Sequence, residues 1–155
     1  MSVILIKPNQ SSTTISTPPI SPATDIDELR RQVGVHVFDC YCDVQTRGEL
    51  IRIGVANSGL TAEIAEVIVD MELEVIGAAN EKKLLLELEA VLHQFTDKDK
   101  KLDPKERNDA LQLVGKARAG YRKGLQYDVA DSYIVNFCRA NGVKVKIGLL
   151  RWTIP

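Results

Sequence analysis

The chain has 155 residues, 45% of them hydrophobic and 26% charged, with a net charge of −1. This is the composition of a globular protein large enough to bury a core without disulfide or metal staples, and the length fits one domain. No apolar run approaches the roughly 18–20 residues of a membrane span, and "MSVILIKPNQ" lacks both the basic leader and the long apolar core of a signal peptide. Three cysteines, Cys40, Cys42 and Cys138, are too few and too odd a number for a disulfide framework, so a reducing, cytoplasmic setting is expected, or a virion if the protein is viral.

The near-zero charge hides a separation. Residues 61–109 carry seven basic and thirteen acidic side chains, whereas 116–155 carry eight basic and two acidic. Such a layout suits either head-to-tail association of copies or contact of the basic end with nucleic acid. An internally salt-bridged arrangement is the plainer alternative.

In chain order, residues 1–23 predict an extended arm. "PNQSSTTISTPPISPA" holds four of the six prolines among seven Ser or Thr, and it has too little apolar content to offset its ordering entropy. Ahead of it, Val3, Ile4, Leu5 and Ile6 form an apolar tip with no local partner, suited to adding onto another surface. Residues 24–155 are then expected to form a single globular domain. "TDIDELRRQVG" predicts a short helix stopped by Gly34, and "VHVFDCYCDV" with "ELIRIGVAN" predicts a hairpin over 35–57.

Four helices follow. Thr61 caps the first, whose Ile64, Ile68, Met71 and Val75 recur at helical spacing. Asn80 caps the second, with a stripe of Leu84, Leu85, Leu88, Val91, Leu92 and Phe95. Pro104 opens the third, striped by Ala110, Leu111, Val114, Ala117 and Tyr121. Val129, Tyr133, Ile134 and Phe137 mark the fourth, closed by Asn141-Gly142. "VKVKIGLL" alternates as a half-buried strand over 143–150. The sum is an α+β fold: a small antiparallel sheet, made of the hairpin and the last strand, packed with four to five helices. No internal repeat is evident in the sequence.

"TDKDKKLDPKER" resembles a calcium loop only superficially. Asp97 and Asp99 fill the first and third ligand positions, but Lys101 stands at the fifth, Leu102 replaces the required glycine and Asn108 the closing Glu. It reads as a helix connection, with Asp103 as cap and Glu106 completing a capping box. His36, Cys40 and Cys42 would share a strand face near Cys138, but C-x-C is a poor zinc spacing and buried thiols are usually core. His93 reads as a boundary residue among leucines. No nucleophile elbow, phosphate loop, dinucleotide fingerprint or zinc-protease motif is present, and acids such as Asp39, Asp43, Asp128 and Asp131 stand singly.

These readings point to a non-enzymatic structural subunit of a larger assembly, such as a phage or virus-like particle head, neck or tail component. It would have no cofactor, no metal and no membrane contact, and its partners would be further copies or neighbouring subunits. The expected contacts are Val3, Ile4, Leu5 and Ile6 of the arm, with Lys144, Lys146, Arg151 and Trp152 for an acidic surface. The alternative is a nucleic-acid-binding accessory protein using Lys116, Arg118, Tyr121, Arg122 and Lys123.

Overall fold

The computed structural model describes residues 22–117, 120–147 and 151–155. The arm with Val3, Ile4, Leu5 and Ile6, together with Arg118 and residues 148–150, lies outside the described residues. The described chain runs α1 (Pro22–His36), β1 (Tyr41–Cys42), α2 (Val44–Ser58), α3 (Ala62–Val75), β2 (Ala79–Asn80), α4 (Glu81–Thr96), β3 (Lys101–Leu102), α5 (Pro104–Gly115), α6 (Tyr127–Asn141), β4 (Lys144–Ile147) and β5 (Arg151–Thr153). It is mostly helical, with small sheets, and broadly α+β. None of the described helices is long and apolar enough to cross a membrane.

Residues 35–57 do not form the expected hairpin. Asp43 sits in extended backbone and its Oδ1 accepts from Thr46 N at 2.7 Å, which caps α2. The buried positions of α2 are Arg47, Leu50 and Gly54, spaced by three and four. Ile51, Ile53 and Val55, whose alternation suggested a strand, stay half-buried or exposed. The helical period wins because Gly54 lets two neighbours close in: a Cβ there would lie 2.8 Å from Leu29 Cδ2 and 3.0 Å from the Ala65 Cβ. Nor does Gly34 stop α1, which continues to His36. Strand pairing is also partly parallel: β1 with β2, and β3 with β4, while only β4 with β5 is antiparallel. The expected C-terminal strand is present as β4, and the tail folds back on it as β5.

Other local readings match. Thr61 and Asn80 cap α3 and α4 through their side chains. Asp103 and Glu106 form a reciprocal capping box with Pro104 opening α5, and Gly142 closes α6 in left-handed backbone. Helix α5 stops at Gly115, so Ala117 and Tyr121 lie beyond it in the connection to α6.

The structure reveals an internal repeat that the sequence conceals. Residues 22–80 and 81–147 each run helix, turn, short strand, helix, helix, short strand, and β5 follows the second run. Cys40 and Lys100 both adopt left-handed backbone, with φ of 62° and 55°. Asp39 and Asp99 each accept from the amide two residues on, at 3.1 Å in both cases. Asp43 and Asp103 cap the next helix, and Arg47 and Arg107 each reach a carboxylate on the helix after that. The returning strands repeat the same bond: Ala79 N donates to Cys40 O and Lys144 N to Lys100 O, both at 2.9 Å. Equivalent residues differ by 60 in number at the caps Asp43 and Asp103, and by 65 at Thr61 and Gln126. The second repeat therefore carries five extra residues between its last two helices.

Each repeat has its own core. Leu29, Val33, Leu50, Val69 and Leu73 centre the first; Leu88, Leu92, Val114, Ile134 and Val143 centre the second. A polar seam joins them. The Tyr41 hydroxyl donates to Glu81 Oε2 at 2.6 Å, and burial followed by the Glu81 carboxylate pushes that phenol's pKa upward, keeping it a neutral donor. Arg122 N donates to Gly77 O at 3.1 Å, and Lys123 Nζ pairs with Asp39 at 3.1 Å.

Candidate functional site

Helix α3 contains apolar residues enough for two faces. Ala65, Ile68, Val69 and Leu73 turn inward. Ile64, Val67, Met71 and Val75 are 48%, 57%, 55% and 77% exposed, and their spacing of three and four places them in one row along the outer surface. Of the stripe the sequence suggested, only Ile68 is core. Two interleaved rows at the same period cannot be told apart by period alone, and Val67 went unread for that reason. Five acids and no bases share the helix. Four of the acids are paired with bases of other elements, Glu66 and Asp70 with Arg47, Glu72 with Arg30 and Glu74 with Lys83, so the outer surface is an apolar row flanked by ion pairs.

A basic face is built by the second sheet. Register pairs Lys101 with Lys144 and Lys146 with Trp152. Cross-strand partners share a face, as do residues two apart, so Lys101, Lys144, Lys146 and Trp152 stand on one side. On the other side, Leu102 is buried and Val145 packs on the second core. Lys101 Nζ lies 5.5 Å from the Trp152 ring centroid, within cation–π range. Arg151 pairs with Ile147 and so stands one step out of phase with this row. Lys101 was the missed member; only the pairing of β3 with β4 brings it there.

The other basic candidates fall at the seam between repeats. Lys116, Tyr121 and Lys123 join Lys83, Asn80 and Glu87 around a cleft of about 60 Å³. Arg122 is exposed, its backbone committed to Gly77. The lysines here are largely matched: Lys83 to Glu74, Lys123 to Asp39, and Lys116 to the Gln112 side chain at 3.3 Å. A space of this size admits a few waters rather than a base or a sugar.

Comparison with known families, with characterised proteins and with solved structures returned no match.

One cluster of charged groups ties α2 to α3. Arg47 donates through Nε to Asp70 Oδ1 at 2.8 Å, and through Nη2 to Asp70 Oδ2 at 2.9 Å and Glu66 Oε1 at 2.7 Å. Asn80 Nδ2 adds a bond to Asp70 at 2.9 Å. Burial alone would raise the Asp70 pKa, but the Arg47 hydrogen bonds and charge, with Asn80 and Lys83, outweigh it and hold the carboxyl below its usual range.

His36, Cys40 and Cys42 do not share a strand face. His36 ends α1 with Nδ1 2.8 Å from Gln32 O, Cys40 sits in the turn, and Cys42 is buried in the first core. Desolvation pushes the Cys42 thiol up to about 12, which leaves it protonated and unreactive. Cys138 is buried in the second core, and the His93 ring meets Phe137 edge-on at 4.9 Å. Among the described residues, no three His, Cys, Asp or Glu side chains converge as a metal site would require.

Proposed function

We propose that this chain is a non-enzymatic subunit of a larger assembly, joined to its neighbours through the outer face of α3 and through complementary acidic and basic surfaces. The row Ile64, Val67, Met71 and Val75 carries the reading. Single exposed apolar residues are ordinary, but a continuous row on a helix whose other face already fills a core marks a contact surface. The acidic helix and the lysine face of the second sheet are charge-complementary, so unlike faces of successive copies could meet. A place in a phage or virus-like particle, as a head, neck or tail component, is the finer form of this proposal and is supported by the composition of residues 1–21.

Sedimentation velocity over a concentration series tests it. The full chain is expected to self-associate, and Val67→Lys with Met71→Lys to sediment as a monomer with an unchanged helical circular dichroism spectrum. A full chain that stays monomeric throughout would remove the support for self-assembly.

A second reading is favoured by one observation, the alignment of Lys101, Lys144 and Lys146 around Trp152. A flat basic surface with an aromatic ring can track a single-stranded backbone and stack a base. Trp152 is the chain's one tryptophan, so its fluorescence reports directly. Under this reading an oligonucleotide quenches it in a salt-sensitive manner, and Lys144→Glu with Lys146→Glu abolishes the effect.

A further inference from the structure

We infer that the outer face of α3 is the seat for the apolar tip Val3–Ile6 of a second copy. This inference rests on the assembly reading and names the occupant of its main surface.

The repeat itself supplies the control. Position for position, Ile64, Val67, Met71 and Val75 correspond to Val129, Ser132, Asn136 and Ala140 on α6. Ser132, Asn136 and Ala140 are exposed there as well. The same fold position thus tolerates polar and small residues, and the large apolar side chains of α3 are not needed to build the repeat.

Three properties fit the tip to this row. The first is length: four residues in extended form span about 13 Å, and the row from Ile64 to Val75 runs about 16 Å along the helix. The second is charge. Residues 1–21 contain Lys7 and no acid, whereas α3 contains acids and no base. Lys7 directly follows the tip, where it can meet Glu63 beside the row.

The third is reach. Pro22 begins α1 close to where α3 begins, since the Ser58 hydroxyl donates to Asp25 O at 3.1 Å. The whole of α3 is about 21 Å long. Residues 7–21, biased toward extended geometry by their prolines, span up to about 46 Å. A tether of that length reaches well past the helix beside its own root, so it can set the tip on a neighbouring copy.

Disulfide trapping between full-length chains tests the seat. One population carries Ile4→Cys and the other Met71→Cys, both in a Cys40→Ser background. Mixing under mild oxidation is expected to give the mixed dimer, while Asn136→Cys, the matching site on α6, gives none. In parallel, Ile4→Asp is expected to weaken self-association by about tenfold or more. Equal trapping at Asn136 overturns the inference, as does a chain carrying both Ile4→Cys and Met71→Cys that closes only within itself while the mixed populations give no dimer. So does a failure to trap when Val67→Lys and Met71→Lys still abolish association, although the assembly reading then stands. A full chain that never associates sinks both.

Discussion

Arg47 shows how much a single side chain holds together. Its guanidinium links α2 to two acids of α3, and its side chain is only 10% exposed. Removing one member of such a buried pair strands the other, so Arg47→Met is expected to cost about 3 kcal/mol in chemical denaturation near neutrality. The pH dependence follows from Asp70. Its folded-state pKa is lowered, so its contribution is fully present above the unfolded value of about 3.9 and is lost as pH falls through the lower folded one. The gap between the natural chain and Arg47→Met should therefore narrow below about pH 4. A gap that stays constant down to acid unfolding would show that Asp70 is not the partner that matters. Nothing in "TRGELIR" announces this role, because Arg47 finds Asp70 only once two helices have packed.

Among elements, local chemistry was legible wherever it stays local. The capping signals at Thr61, Asn80, Asp103 and Gly142 act within one turn of chain, and none depends on a tertiary contact. Asp103→Ala is expected to cost about 1 kcal/mol by urea titration, and Asp43→Ala a similar amount, since the two hold equivalent places in the repeat. A loss confined to Asp103 would argue against that equivalence. The misread stretch was 35–57, where β-branched residues at alternate places imitated a strand. Its helical period depends on Leu50 and on a glycine that admits neighbouring side chains, which is a packing fact. On α3 the sequence offered two apolar rows, and tertiary packing chose between them.

At the scale of the molecule, the duplication is hidden in the sequence because the repeats share few identical residues beyond those with strict local duties. Asp39 and Asp99, Asp43 and Asp103, Arg47 and Arg107, and Gly77 and Gly142 are such pairs. Core positions need only be apolar, and five inserted residues break the register. How firmly the halves are joined can be measured at Gly77. Its φ is +66°, and an added Cβ would lie 2.5 Å from the carbonyl oxygen of Gly120. Gly59 has nearly the same φ, +61°, with nothing within 4 Å. Gly59→Ala should therefore lose only the left-handed penalty of about 1 kcal/mol, and Gly77→Ala clearly more. Equal losses would mean that the approach of Gly120 contributes nothing.

The five inserted residues have one more effect. They lengthen the connection that carries Gly120, Arg122 and Lys123 against the first half, and the corresponding connection in that half is too short to return the gesture. The clasp is one-sided, so the halves cannot exchange roles, and a row of such molecules joined unlike face to unlike face would point one way, as links in a chain with a hook at only one end.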